Sequence, residues 1–503
     1  MINNGKKQTV LMFPWLGHGH ISPFLELAKK LTNTNRFNIS LCSTPTNLDS
    51  IKNTIQNEEP SIKLIELHLP TLPELPPHLH TTNGLPLHLM STLKQAFDMS
   101  SPQFSNILNR VKPDVLIYDI LQPWAPMAAA ALGIPSVVFI TTSAAASMVH
   151  FQLIPTNNIP FPFSSTIYYH PYEDGHVSKR TVYNKAADRV TQCVERSSSI
   201  VLVKSWKEIE DKYADHLSVL IGKRVVTVGP LVAEPLDTKQ NNVINWLDTK
   251  YVGSTVFVSF GSEYFLSSSD LEEIAYGLEM SNVNFIWVLR FPKSGENRTT
   301  SIYEALPQGF IERVKGRGLV IEGWAPQAII LGHKNIGGFV SHCGWNSVVE
   351  AMKYGVPIIA IPMHLDQPIN ARLAVAVGVG VEVVRDDNGK LKREMISSVV
   401  KHVVMSELGN VVRENAKKLG DDLRVKKDEE IDVVAKELIQ LCENAKKHQK
   451  VKSEVFRTNN KHQKTKSESF GGGDGGTNKL QKTKSEAFAI CALQAAMKGE
   501  VLK

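Results

Sequence analysis

The sequence predicts an α/β protein built from two doubly wound, Rossmann-like domains. Short runs rich in Val, Ile and Leu alternate with segments of helical periodicity along most of the chain, and runs such as VPIIAIP (356–362) are apolar on both faces. At 503 residues the chain is also too long for one compact core. Alternation of this kind builds a parallel sheet, and such sheets bind ligands at the carboxyl ends of their strands.

In order, TVLMFP (9–14) is the first strand, WLGHGHIS the turn after it and FLELAKKLTN the first helix. NISLCST, IKLIELHL, DVLIYD and PSVVFIT read as further strands of the same sheet, followed by SIVLVKS and RVVTVGP. Residues 1–230 then form a first domain and 231–250 a linker, with STVFVSFGS opening a second domain at 251–427. NFIWVLR, GLVIEGW, IGGFVSH, VPIIAIP and VGVEVV continue the alternation there, and residues 428–443 form a last helix. From 444 the character changes. HQKVKSEVF, HQKTKSESF and LQKTKSEAF repeat imperfectly around GGGDGG, and low apolar content with like charges predicts a disordered basic tail over 444–503.

Composition narrows the function classes. The tail carries 13 Lys/Arg against 5 Asp/Glu, which leaves 43 against 45 for residues 1–443. The body is therefore near neutral at −2, the tail at +8 supplies the chain's net +6, and nucleic acid is not the expected partner. The five cysteines are scattered without a C-x-x-C pair, which argues against a disulfide framework or a zinc site and for a reducing, cytoplasmic setting. The start, MINNGKKQTVLMF, has too short an apolar run for a signal peptide. Residues 125–149 hold no charge and are long enough to cross a bilayer, but Gly133, Pro135 and the polar TTS argue for helix, turn and buried strand. A monomer without a membrane span is expected.

The densest chemistry lies in residues 324–367. IGGFVSH reads as a buried strand and CGWNS as a turn, with a helix that opens near Asn346 and stops at Gly355. His342, Asn346 and Ser347 thus gather where a strand ends and a helix begins, and the unpaired N–H groups and dipole there suit a phosphate. Glu350, one turn on, is placed for a diol such as ribose, and Asp366 and Gln367 follow the next strand on the same edge. Phosphate, diol and a second polyol sketch a nucleotide sugar. Ser262, ending the strand of STVFVSFGS, is a plausible phosphate neighbour.

His20 and Asp119 hold the corresponding places in the first half, in the turn after the first strand and at the end of DVLIYD. An imidazole whose far nitrogen is held by a carboxylate is suited to take a proton near neutral pH. Taken singly, a turn histidine and a helix-capping aspartate would account for both. Gly17 and Gly19 suggest a dinucleotide fingerprint, but Ser22 stands where its third glycine belongs.

Residues 324–367 resemble the signature box of plant family 1 UDP-glycosyltransferases at both ends and at HCGWNS and Glu350. The resemblance spans residues 8–442 and implies the GT-B arrangement, two such domains facing across a cleft, with the last helix returning to the first domain. It implies that Trp324 stacks on uracil with Ala325 beside it, that Gln327 contacts the uridine, and that His342, Asn346 and Ser347 hold the diphosphate. Glu350 would take the ribose, and Trp345, Asp366 and Gln367 the sugar. Gln367 and the aromatic Trp345 favour glucose. GHGHISPFLELAKKL resembles the segment that carries the family's catalytic histidine, matching at His20 rather than His18, and Asp119 matches its partner. LHLPTLPELPPHLHTTNGLP, VFVSFGSEYF and NVNFIWVLRFPK resemble members that extend the sugar of a plant glycoside, including flavonoid-glucoside 1,6-glucosyltransferases. The expectation is an inverting transfer of glucose from UDP-glucose to a small-molecule glycoside, without a cofactor. There is no D-x-D pair, so no metal is implied for the diphosphate. Glucosylation of a bare aglycone, an epimerase or retaining transferase, and a catalytically silent sugar-nucleotide scaffold are the rivals.

Overall fold

The computed structural model describes residues 6–58, 61–154, 159–173, 184–234, 242–261, 264–291, 301–426 and 428–468. Residues 1–445 form one unit and residues from 446 another. The first unit holds two open sheets in which every strand pair is parallel.

The first sheet contains β1 (Gln8–Phe13), β2 (Phe37–Ser43), β3 (Lys63–Glu66), β4 (Val115–Tyr118), β5 (Ser136–Ile140), β6 (Ile200–Val203) and β7 (Arg224–Thr227), in the order β3-β2-β1-β4-β5-β6-β7. The second contains β8 (Thr255–Ser259), β9 (Asn284–Leu289), β10 (Gly318–Glu322), β11 (Ile336–Ser341), β12 (Ile358–Ala360) and β13 (Gly380–Glu382), in the order β10-β9-β8-β11-β12-β13. Each order reverses direction once, between β1 and β4 and between β8 and β11, and the crevice beyond such a reversal is where this architecture binds ligands. VLIY, IVLV and TVFVS are buried along their whole length because helices cover both faces of the sheets.

The helices that matter for the site are α1 (His18–Asn33), α2 (Ala144–Gln152), α3 (Lys207–Ile221), α4 (Gln327–Leu331), α5 (Trp345–Tyr354), α6 (Gln367–Ala376) and α7 (Glu429–Glu468). α1 starts earlier than its sequence suggests, so His20 stands in its first turn rather than in a loop. One apolar core runs from the first domain into the second through Ala144, Trp206, Trp345 and Ile369, so the halves share a seam beside the site. The chain then returns. Ile431, Val434, Ala435, Leu438 and Cys442 of α7 bury themselves against Val10, Ile39, Val115 and Ile200 of the first sheet.

Two boundaries differ from expectation. Asn242–Asp248 is helical within the stretch expected as linker, of which residues 235–241 lie outside the described residues. α7 continues to Glu468, so residues 444–468 are helical where disorder was expected; Lys, Gln, Glu and Ala are good helix formers that need no apolar face. Residues 469–503, with most of the repeat, lie outside the described residues. Residues 125–149 fall into helix, turn, buried strand and helix, and among the described residues no helix is long and apolar enough to cross a membrane.

Candidate active site

Phe13 pairs with Tyr118 in register, so the segments leaving β1 and β4 emerge side by side. This brings together His20 and Asp119, 99 positions apart: Nδ1 of His20 lies 2.8 Å from Oδ2 of Asp119. The carboxylate is fully buried and also accepts the backbone N–H of Trp15 at 3.2 Å and of Ile120 at 2.7 Å. Nothing there but a donor suits the carboxylate, so Nδ1 carries the hydrogen and Nε2 is left with its lone pair. The imidazole keeps a quarter of its surface exposed. The Thr141 hydroxyl, just past β5, lies 3.2 Å from the same Nδ1.

Ser259 pairs with Ser341 in the second sheet, which sets Gly261 beside His342. The ring of His342 lies between Gly261 and Gly344, and a Cβ on either would fall 2.6 Å from Nε2. Gly261 also adopts φ +78°, so this position demands glycine twice over. Burial, helped by the nearby His364, pulls the His342 pKa down to about 4 against a hydrogen bond to the Ser259 backbone, so the ring is neutral at physiological pH. α5 starts immediately after it. Its N-cap is Gly344, with no side-chain cap, so its first N–H groups are open to a ligand.

Behind that helix end, the Gln327 amide donates to Oε2 of Glu350 at 2.6 Å and to Oγ of Ser347 at 3.2 Å. Trp324 is 70% exposed, a free aromatic face at the rim, whereas Ala325 is buried beneath it. Asn346 spans the cleft: its amide nitrogen donates to the Gly19 carbonyl at 3.0 Å and its oxygen accepts from Lys204. Gly19 can accept because Pro23, four residues on inside α1, has no N–H to claim that carbonyl.

Asp366 and Gln367 flank the start of α6. Asp366 accepts from the Thr142 hydroxyl and, at 3.0 Å, from the Asn370 amide. The Gln367 oxygen accepts the N–H groups of Met363 and His364 at 3.0 and 3.1 Å, which pins the loop before it. Trp345 departs from expectation. Its indole is buried, donates to the Lys204 carbonyl at 2.6 Å and stacks on Trp206, so a sugar could meet this residue only at its backbone N–H. A helix side chain leans back over the preceding turn, and here that turn faces the apolar seam. Ser262 lies outside the described residues.

Sequence reasoning missed the loop Thr141-Thr142-Ser143 and Lys204. The loop touches His20 of its own half through Thr141, and ties the two halves together at the next two hydroxyls, Thr142 to Asp366 and Ser143 to Asn370. Fully buried Glu210 of α3 fixes it by accepting the N–H groups of Ala144 and Ala145 and the Ser205 hydroxyl. Three consecutive hydroxyl residues directly after a buried strand were the available signal.

Comparison with known proteins agrees with this geometry. Residues 96–436 match the family UDP-glucoronosyl and UDP-glucosyl transferase. UDP-glucosyltransferase 29 of Panax ginseng is 50% identical over 456 residues, 89% of this chain and all of that protein. Mogroside IIIx synthase of Siraitia grosvenorii is 50% identical over 85% of this chain and 96% of its own. Beta-D-glucosyl crocetin beta-1,6-glucosyltransferase of Gardenia jasminoides is 48% identical over 86% of this chain and 98% of its own. The crystal structure of Glycyrrhiza uralensis UGT73P12 complexed with glycyrrhetinic acid 3-O-monoglucuronide superposes with a TM-score of 0.75 at 25% identity, covering 91% of this chain and all of that one.

Proposed function

Because this chain belongs to the UDP-glucoronosyl and UDP-glucosyl transferase family, we propose that it moves glucose from UDP-glucose, with inversion, to a hydroxyl of a plant natural-product glycoside, extending a sugar already present. The observation that carries the chemistry is the His20–Asp119 contact of 2.8 Å, made on the half that faces the uncapped start of α5. Nε2 of His20 takes the proton of the acceptor hydroxyl as its oxygen bonds to the anomeric carbon. The bond from that carbon to the UDP oxygen breaks, and the electron pair leaves with UDP. Asp119 balances the imidazolium that forms, and the N–H groups of α5 with neutral His342 stabilise the charge gathering on the diphosphate. Attack from one half on a sugar held by the other gives a single displacement, hence inversion. The reading requires no metal.

Two lines support the substrates. The ginseng relative is named a UDP-glucosyltransferase, and the Gardenia relative is named for adding glucose to a glucoside. The test is UDP release from UDP-glucose against a panel of monoglucosides and their aglycones, with a chelator present, followed by NMR of the product. A β-linked second glucose on the monoglucosides supports the proposal. Reaction with the aglycones alone, an α linkage or loss of turnover with the chelator would each refute a stated part of it.

A further inference from the structure

Lys204 follows β6 and is almost completely buried, at 2% exposure, in the apolar seam beside Trp206 and Trp345. Burying an ammonium costs several kcal/mol unless opposite charge or hydrogen bonds offset it. The hydrogen bond to the Asn346 oxygen is charge-assisted, but its acceptor brings no opposite charge, so it offsets only part of that cost. A methionine of similar volume would fill this site without it. Two carboxylates favour the charged amine from beyond ion-pair distance, first Glu350 from α5 of the other half and then Glu26 from α1 of its own. Glu350 is partly buried, and besides Lys204 only the Gln327 amide and the Lys353 charge favour its ionised form. Burial pulls the lysine down and the glutamate up, and each opposes the shift of the other.

We propose that Lys204 is a positioning residue for the donor nucleotide: its amine, hydrogen-bonded to Asn346, holds that side chain in place and its charge favours the ionised Glu350 carboxylate, so the nucleotide pocket of the second half is complete only when the first half is seated against it. This rests on the reading of Glu350 as the ribose ligand. A carboxylate can accept from two ribose hydroxyls, whereas a protonated carboxyl competes with them as a donor. The first domain thus supplies more than the base: through one buried charge it also sets the affinity of the second domain for UDP.

The test is a double-mutant cycle on UDP affinity by calorimetry, using Lys204→Met, Glu350→Gln and the pair. Each single change weakens binding about tenfold, and the pair weakens it by about the same tenfold rather than a hundredfold, because removing both charges leaves neither uncompensated. Losses that multiply, or wild-type affinity in Lys204→Met, overturn the proposal. Wild-type affinity in Glu350→Gln refutes the ribose assignment instead, so the two failures are distinct. The pH profile separates charge from packing. Without Lys204 the Glu350 carboxyl ionises at higher pH, so the deficit of Lys204→Met is largest in mild acid and shrinks as pH rises; a deficit independent of pH would mean lost packing and also overturn the proposal. If Lys204→Met does not fold, Lys204→Gln takes its place in the cycle, with Lys204→Arg as the charge-conserving control that keeps affinity within about threefold of wild type.

Discussion

The two domains share one architecture and place their chemistry at the same topological point, yet they use it differently. The second collects its groups from one strand–turn–helix, His342 through Glu350, because an anion and a diol can be met by adjacent N–H groups and side chains one turn apart. The first needs a base and the carboxylate that orients it. Here the two come from segments that leave neighbouring strands β1 and β4 and meet at 2.8 Å. Recognition can thus be local in sequence, whereas proton transfer depends on the sheet.

This contrast can be tested by breaking one half at a time. The largest effect is expected from Asp119→Asn, which keeps the shape but no longer fixes the tautomer of His20. Turnover should fall about a thousandfold with UDP affinity unchanged, a split that kcat and calorimetry read separately.

Next comes His342. Its folded pKa is depressed from 6.5 to about 4, so between those values the unfolded chain takes up a proton that the folded protein refuses. This contribution to stability is present above pH 6.5 and is lost as the pH falls toward 4, up to about 3 kcal/mol. Urea unfolding at several pH values should show wild type losing this increment relative to His342→Asn. Equal pH dependence in the two proteins would mean that the ring is not buried neutral. Gly261→Ala should cost about 2 kcal/mol of stability, through its left-handed φ and the 2.6 Å approach to the ring, and should weaken UDP while sparing the His20–Asp119 pair. The smallest change is Pro23→Ala. It returns the Gly19 carbonyl to the helix and takes it from Asn346, so the Michaelis constant for the donor should rise only about twofold while α1 gains stability. A fall in that constant would contradict the role given to Pro23.

The same contrast explains what could be read from the sequence. The strands and the doubly wound class were legible because periodicity is local, and turn chemistry alone singled out His342, Asn346, Ser347, Glu350, Asp366 and Gln367 as candidates, whereas Trp324, Gln327 and Trp345 came from the resemblance. His20 and Asp119, 99 positions apart, could be paired as residues at the ends of parallel strands, but only the family resemblance favoured that pairing over a turn histidine and a capping aspartate. The start of α1 was misjudged because GHGHISP is poor in helix formers, and contacts from Asn346 and Asp119 hold that turn instead. Trp345 was assigned to the sugar, but its first-turn position sends the indole into the seam. Lys204 ends the apolar run IVLV, and only the folded seam shows what that charge faces.

The central claim is that the base and the nucleotide site belong to separate halves. It is tested most directly by replacing His20 with alanine and measuring UDP binding and glycosyl transfer on the same preparation. The account predicts UDP affinity within about twofold of wild type, with transfer reduced at least about a thousandfold. Transfer that survives the replacement, or UDP binding that vanishes with it, would contradict the account.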